Sequence, residues 1–304
     1  MIYAVGHKNP DTDTICSAIA IAELLKQRNI DAEAKRQGEL NPETKFVLEK
    51  FSIKIPEIIE DSENKNIFLV DHSDKSQSID NIDKANIKGI VDHHKLGDIT
   101  TSTPLEFWAL PVGCTCTIIK GMYDFYNIEI SEKIAGIMLC AILSDTVLFK
   151  SPTTTDLDEK VAKELAKIAK VDDIKKLAMD MFNKKSDVEG KTMRELIFRD
   201  YKDFVMNEKK VGVSQLEVVD ITIFDSIKDD LFNELQKIKD EGRNTVLLLL
   251  TDIMKEGSEL ICISNNPELV EKAFNIKFKD NKIWLDGIMS RKKQVIPNLQ
   301  KAFL

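Results

Sequence analysis

The chain has 304 residues, of which 43% are hydrophobic and 31% charged, a composition typical of a folded globular protein long enough for two domains. Its formal net charge of −8 disfavours a dedicated nucleic-acid binder. Because the longest apolar runs fall short of the ~20 residues that span a membrane, and the N-terminal segment lacks the layout of a signal peptide, we expect a cytoplasmic protein that binds neither nucleic acid nor membrane.

The first part of the chain alternates short apolar runs with helical patterns. Ile2–Val5 predicts a strand, and a helix is expected from about Thr14. Further strands are predicted at Ala32–Arg36, 66–71 (NIFLVD) and 88–94 (KGIVDHH), and further helices at 42–51, 114–126, 132–143, 156–170 and 174–183. Strands that alternate with helices predict an α/β fold with a doubly wound, mainly parallel sheet.

The segment KKSDVEGKT (184–192) is charged and aperiodic, which predicts a linker. Beyond it, strands are predicted at 209–220, 245–254, 259–264 and 282–287, and helices at about 224–241 and at Pro267–Phe274. We therefore predict a first domain at residues 1–186, a linker at 187–191 and a smaller second α/β domain at 192–304.

Acidic and histidine side chains follow the predicted strands of the first domain. They are His7, Asp11 and Asp13 after the first strand, Asp71 and His72 after NIFLV, Asp92, His93 and His94 after KGIV, and Asp145 at the end of an apolar helix. Each aspartate alone has an ordinary alternative role as a helix cap. Taken together they lie where open α/β sheets bind ligands, beyond the carboxyl ends of the strands.

Carboxylates crowded at one sheet edge repel each other by several kcal/mol unless a cation lies among them. Mixed imidazole and carboxylate ligands favour Mn, Fe, Co or Zn. The number of ligands suits two metals ~3.5–4 Å apart, an arrangement that activates water and binds phosphoryl oxygens. The pattern therefore predicts a binuclear phosphohydrolase.

Three consecutive cations occur in SRKKQVIP (290–297), after the last predicted strand. A run of three is usually a solvated surface, but here a strand precedes it and Val295 and Ile296 follow, which would fix its position. Arginine binds phosphate through a bidentate fork and lysine as a compact charge. We expect a small, highly charged anion to bind in an active-site cleft between the metal-bearing and the cation-bearing domain.

The chain resembles the family II inorganic pyrophosphatases, the manganese-dependent branch of the DHH phosphoesterases. The motifs that carry the resemblance are GHKNPDTD (6–13), VDH (70–72), VDHH (91–94), SDTVLFKSPT (144–153) and SRKKQ (290–294). The resemblance implies an inorganic diphosphatase that hydrolyses pyrophosphate to two phosphates through a water or hydroxide held between two metals.

The resemblance also implies roles for individual residues. One metal would be bound by His7, Asp11 and Asp71, and the other by Asp13, Asp71, His93 and Asp145, with Asp71 bridging. His94 would act beside Asp71 in catalysis and contact the substrate, which Lys202, Arg291 and Lys292 would also bind. The implied metals are two Mn²⁺ or Co²⁺ per subunit, with Mg²⁺ arriving on the substrate. The implied assembly is a homodimer formed through the N-terminal domain.

Two alternatives stay open at this point. An exopolyphosphatase or another DHH phosphoesterase would share the metal chemistry, although the glycine-rich GGGH-like run of the nucleases is missing from the sequence. A non-catalytic relative should have lost ligands, whereas this sequence keeps every one. The five cysteines include no CxxC pair, so we expect reduced, mostly buried thiols rather than disulfides or a zinc site.

Overall fold

The computed structural model describes residues 1–185 and 190–304. These residues form two units, Met1–Lys184 and Lys185–Leu304. Residues 187–189 of the predicted linker lie outside the described residues, so the linker and the domain boundaries stay predictions. Within the described ranges, the helices include none that is both long and apolar enough to cross a membrane.

The first unit is built around a six-stranded sheet. Its strands are β1 (Ile2–Val5), β2 (Ala32–Arg36), β3 (Glu57–Ile58), β4 (Asn66–Val70), β5 (Asn86–Asp92) and β6 (Glu106–Ala109). Its helices are α1 (Thr12–Gln27), α2 (Pro42–Lys50), α3 (Thr115–Phe125), α4 (Glu132–Asp145), α5 (Asp156–Ile168) and α6 (Ile174–Lys185). Short 3₁₀ turns occur at Lys75–Gln77 and Ile82–Lys84.

The strand order of this sheet is β3-β2-β1-β4-β5-β6, and every neighbouring pair is parallel. The predicted doubly wound sheet is therefore confirmed. The chain moves outward from β1 to β3 on one side and then returns to place β4 against the other side of β1. Such a reversal of strand order opens a crevice at the carboxyl ends of the two central strands.

Two of the helix ends that differ from the prediction affect candidate ligands. Helix α1 begins at Thr12 rather than near Thr14, because the Asp11 carboxylate caps it and accepts a hydrogen bond from the Thr14 N–H at 2.9 Å. Helix α4 continues beyond residue 143, so that Asp145 is its last residue. Both aspartates are therefore held on helix ends rather than on loose loops.

The second unit has a five-stranded mixed sheet in the order β11-β10-β9-β8-β7. Its strands are β7 (Tyr201–Met206), β8 (Lys209–Val218), β9 (Thr245–Asp252), β10 (Gly257–Ser264) and β11 (Lys282–Asp286). Its helices are α7 (Met193–Phe198), α8 (Lys228–Asp240), α9 (Pro267–Phe274) and α10 (Ile296–Phe303), with one π-helical turn at Arg291–Val295. Strands β8 and β9 are parallel and the other three pairs antiparallel.

The central strand β9 explains why this unit is also an α/β fold. Val246, Leu248 and Leu250 pack into one apolar cluster with α8, whereas Leu247 and Leu249 pack into a second cluster with α10. A strand covered on both faces reads as a continuous apolar run, as TVLLLLTD does. The helix expected from about residue 224 begins only at Lys228, because Ile221–Phe224 forms a separate 3₁₀ turn.

Gly89 permits the close pairing of β4 with β5. It is the cross-strand partner of the buried Phe68, and a β-carbon at Gly89 would lie 2.3 Å from Cε2 of the Phe68 ring.

We predict that Gly89→Ala destabilises the protein by about 1–3 kcal/mol and lowers the midpoint of urea unfolding. Gly121→Ala is the control, because it adds a methyl group to exposed space on α3 and should leave the midpoint equal or higher. A midpoint for Gly89→Ala at or above that of wild type would contradict this packing.

Candidate metal centre

All six predicted metal ligands and His94 lie together at the carboxyl ends of β1, β4 and β5. Ligand atoms of His7, Asp11 and Asp71 lie within 4.8 Å of one another. The same holds for the group Asp13, His93 and Asp145, and for the group Asp71, His93 and His94. Because these groups share Asp71 and His93, they form one continuous cluster at the switch point of the sheet.

Asp71 is at the centre of this cluster. Its carboxylate lies 3.2 Å from His7 Nε2, and 3.5 Å from both His93 Nε2 and His94 Nδ1. The residue is 2% exposed and has a left-handed backbone with φ of 62°, a conformation that aspartate tolerates better than most residues. This turn away from the strand direction follows directly after β4.

Two hydroxyl groups orient the Asp71 carboxylate from opposite sides. Thr14 Oγ1, in the first turn of α1, donates to Oδ2 at 2.6 Å. Thr115 Oγ1, the first residue of α3, donates to Oδ1 at 3.1 Å. Each oxygen thus receives one hydrogen bond from a neutral hydroxyl group, and its remaining acceptor capacity faces the histidines.

Asp13 is held mainly by the N-terminus of α3. The backbone N–H of Thr115 donates to Oδ2 at 2.7 Å, and that of Cys116 donates to Oδ1 at 3.2 Å. The Ser17 hydroxyl and the Cys114 thiol also donate to Oδ1, at 2.9 and 3.0 Å. These donors leave Oδ2 as the less crowded oxygen, and they favour a carboxylate at a helix N-terminus.

The histidines are oriented through their second ring nitrogens. His93 Nδ1 lies 2.9 Å from the Val112 carbonyl, so its Nε2 faces the carboxylates. His94 Nδ1 lies 2.9 Å from Asp92, which also accepts a hydrogen bond from Ser73. Such partners fix the tautomer and orientation of metal-site histidines.

The charges of the cluster require a cation. Burial lowers the pKa of His7, but the charges of Asp11 and Asp71 outweigh it and raise the pKa to about 10. Asp71 is buried, yet its hydrogen bond to His7 and the neighbouring histidines hold its pKa well below the usual range. Burial and the charge of Asp71 raise the pKa of Asp13. A proton on His7 thus supplies positive charge that a divalent ion would otherwise provide, and the donor set of imidazoles and carboxylates suits Mn²⁺.

The chain after Asp145 is strained. Val147, Leu148 and Phe149 all have left-handed backbones, with φ of 50°, 52° and 65°. Such a conformation costs roughly 1–2 kcal/mol for each L-residue. Strain of this kind persists where the surrounding structure enforces it, commonly beside functional sites.

Glu43 connects the helices that carry the ligands. This residue of α2 is 1% exposed, and its Oε2 accepts hydrogen bonds from Thr12 and Ser144, each at 2.8 Å. Thr12 lies between Asp11 and Asp13, and Ser144 precedes Asp145. Ser144 therefore acts as a hydrogen-bond donor. This agrees with its sequence context, which is not the Gly-x-Ser-x-Gly motif of a serine nucleophile.

In the second unit, two of the three predicted substrate residues are neighbours of Val213 in strand β8. Lys202 pairs with Val213 across the β7–β8 ladder, and Nη1 of Arg291 lies 3.3 Å from the Val213 carbonyl. Lys292 follows Arg291 in the π-helical turn, and its side chain is exposed.

The groups that donate hydrogen bonds to the ligands, above all those of the segment GCTCT (113–117), were not predicted from the sequence. The expectation that the cysteines are buried thiols is confirmed, since all five are free and buried. Cys114 also has a role that was not predicted, because its thiol donates a hydrogen bond to Asp13. A cluster of hydroxyl and thiol residues directly before a helix was the available signal.

Comparisons with known proteins agree with this geometry. Residues 1–142 match the model of the DHH family N-terminal domain, and residues 179–302 match the DHHA2 domain. A protein of Archaeoglobus fulgidus named "Probable manganese-dependent inorganic pyrophosphatase" is 53% identical over 316 aligned positions, which cover 100% of this chain and 98% of that protein. The manganese-dependent inorganic pyrophosphatase of Methanocaldococcus jannaschii is 47% identical over 312 positions, covering 100% of this chain and 99% of that protein.

The chain belongs to the family II inorganic pyrophosphatases. A crystal structure from Methanococcus jannaschii that is assigned to the same family matches with a TM-score of 0.85 at 47% identity, covering 100% of this chain and 99% of that one. An exopolyphosphatase-related protein from Bacteroides fragilis has a TM-score of 0.51 at 16% identity, covering 99% of this chain and 91% of that one, and shares the fold alone.

The Thr115 hydroxyl offers a direct test of how this pyrophosphatase family member orients Asp71. Thr115→Val removes the hydrogen bond to Asp71 but keeps the backbone N–H that binds Asp13. We predict that Mn²⁺ affinity falls about 10- to 100-fold, as is typical when a ligand loses its orienting partner. Isothermal titration with Mn²⁺ measures this directly.

Thr117→Val is the matched control, because Thr117 is buried on the same helix but donates to Asp158, which is not among the candidate ligands. Equal losses of Mn²⁺ affinity in the two variants would show a general effect on α3 and not a specific effect on Asp71.

Proposed function

We propose that this chain hydrolyses inorganic pyrophosphate to two phosphates, using two Mn²⁺ or Co²⁺ ions per subunit and a substrate that arrives with Mg²⁺. The observation that supports it most is the continuous cluster of six imidazole and carboxylate ligands around Asp71. The relatives named manganese-dependent inorganic pyrophosphatase, which match the chain over its whole length, support the substrate.

In this proposal His7, Asp11 and Asp71 bind one metal, and Asp13, Asp71, His93 and Asp145 bind the other. The first set is one of the observed ligand groups, and the second combines another such group with Asp71, which lies 3.5 Å from His93 Nε2. Asp71 would bridge, since each of its two oxygens faces a different histidine.

Bound metals would supply an activated water and stabilise charge on the phosphoryl oxygens. The protein's own contribution is to orient the ligands and the substrate. His94 is proposed to contact the substrate, because Asp92 holds one ring nitrogen and the ring lies beside Asp71. Arg291, Lys292 and Lys202 are proposed to bind phosphate oxygens, with arginine supplying a bidentate fork.

We also propose a homodimer formed through the first unit. Strand β6 is at an edge of the sheet, and Phe107 in β6 and Phe125 at the end of α3 are 47% and 66% exposed. An exposed apolar edge strand favours pairing with another chain. A second copy related by a two-fold axis would present the same strand in antiparallel orientation and bury both patches.

The five free thiols support a reducing compartment, and we propose the cytoplasm.

The activity is tested with protein stripped of metal by chelation and reloaded with Mn²⁺ in Mg²⁺ buffer. We predict fast phosphate release from pyrophosphate that disappears on chelation and returns with Mn²⁺. Asp71→Ala should lose nearly all turnover and the capacity for two Mn²⁺, because it removes the bridging ligand. Asp124→Ala, at an exposed ion pair with Lys120, should keep both. Preference for tripolyphosphate or longer chains would instead favour an exopolyphosphatase.

The dimer is tested by charge at the edge strand. We predict that Phe107→Glu produces a monomer in size-exclusion chromatography with light scattering, because each copy would place a carboxylate in the buried patch. Ile58→Glu is the matched control, since Ile58 is 46% exposed on the opposite edge strand β3. Dissociation by Ile58→Glu alone would place the interface at β3, and a wild-type monomer would refute the dimer.

A further inference from the structure

The guanidinium group of Arg291 is held by Asp200, the residue immediately before strand β7. Nη2 of Arg291 donates to the Asp200 carboxylate at 2.5 Å, and Nη1 donates to the Asp200 backbone carbonyl at 2.6 Å. Nη1 also donates to the Val213 carbonyl at 3.3 Å. Asp200 thus binds Arg291 through both its backbone and its side chain.

These contacts use the Nη1–Nη2 edge of the guanidinium group and the outer N–H of Nη1. Arginine has five N–H donors in a planar fork, and both N–H groups of Nη1 and one of Nη2 have partners here. The second N–H of Nη2 and the N–H of Nε lie side by side on the adjacent edge. Two parallel donors on one edge match two oxygens of a phosphate group.

The frame around this pair is rigid because Gln215 connects its parts. Its side-chain Oε1 accepts a hydrogen bond from the Arg291 backbone N–H at 3.1 Å. The backbone N–H of Gln215 donates to the Asp200 backbone carbonyl at 3.0 Å. Its Nε2 donates to Thr251 at 2.9 Å and to the Met289 carbonyl at 2.8 Å. Gln215 is only 5% exposed, so the arrangement is buried on one side.

The side chain of Arg291 is 11% exposed, whereas that of Asp200 is 52% exposed. A carboxylate next to a phosphate-binding arginine has two opposite effects on an anionic ligand. It orients the guanidinium group, which lowers the entropy cost of binding, and it repels the ligand's charge. The exposure of Asp200 lets water screen the repulsion, while the short contacts to Arg291 preserve the orientation.

We propose that Asp200 is a positioning residue for pyrophosphate: it fixes one edge of Arg291 so that the Nε–Nη2 edge binds a phosphate group. This inference rests on the proposed function, in which Arg291 binds the substrate. It assigns a role to an acidic residue next to the anion-binding cations, where charge alone would predict an unfavourable effect.

The test compares Asp200→Ala and Asp200→Asn by steady-state kinetics with pyrophosphate on the Mn²⁺-loaded full chain. Asp200→Ala should raise KM about 5- to 20-fold, as expected for loss of a hydrogen bond between charged groups. Mn²⁺ affinity should stay unchanged, because the metal ligands are in the other unit. Asp200→Asn should recover most of the KM, since its amide oxygen accepts the same hydrogen bond.

Asp203→Ala is the matched control. Asp203 is on β7 and forms an ion pair with another arginine, Arg243, at 2.9 Å. Its loss removes the same amount of charge three residues farther along the chain but leaves Arg291 untouched, so KM should not rise. An equal rise of KM in Asp203→Ala would indicate a general charge effect and would overturn the inference.

A double-mutant cycle with Arg291→Ala separates the proposed substrate role of Arg291 from the positioning role of Asp200. If Arg291→Ala leaves KM unchanged, the proposed substrate role of Arg291 fails and this inference fails with it. If Arg291→Ala raises KM but Asp200→Ala leaves or lowers it, only the positioning role is overturned and Asp200 acts as a competitor of the substrate. The positioning role predicts that Asp200→Ala adds little to KM in the Arg291→Ala background.

Discussion

The structure of the first unit depends on one constraint, the burial of the Asp71 carboxylate among other carboxylates. A buried negative charge is tolerated only with a cation or with several hydrogen-bond donors nearby. Here His7 approaches Asp71 at 3.2 Å, and the threonines of α1 and α3 donate to its two oxygens. These neutral donors orient the carboxylate without cancelling its charge. Without a metal, a proton on His7 balances part of this negative charge. A bound divalent ion would take the place of that proton.

The topology of the sheet explains how residues so far apart in the chain satisfy this constraint. Strands β1 and β4 are adjacent only because the strand order reverses between them, and α3 then brings its N-terminus to the same edge. The N–H groups at that end of α3 bind Asp13, so the helix dipole and the carboxylate stabilise each other. Glu43 adds a buried connection between Thr12 and Ser144, which precede Asp13 and Asp145 in the chain. Fold and site are thus stabilised by the same hydrogen bonds.

The sequence was enough to predict the parallel sheet and the grouping of acidic and histidine side chains at one of its edges, because both follow from local patterns. Apolar runs ending in Asp and His place those side chains at one sheet edge whatever the details of packing. The partners of the ligands were not predictable in this way. Thr115 and Cys116 are about a hundred residues from Asp13, and only tertiary structure brings their N–H groups to it. Strand β7 and helix α10 were missed for a similar reason, since their short, half-exposed patterns are decided by packing against neighbours.

The two units hold their charged groups in different ways, and the difference fits what each unit is proposed to bind. In the first unit, the carboxylates accept hydrogen bonds mostly from neutral donors and from histidines, so they attract multivalent cations. In the second unit, the cation Arg291 is held by an acidic partner, which reduces its net attraction for anions but fixes its geometry. A centre that is proposed to retain two metal ions would benefit from carboxylates whose other partners are mostly neutral. In its proposed role, Arg291 would bind substrate and then release product, and it would benefit from orientation with moderate affinity, because binding the ground state too tightly does not increase turnover.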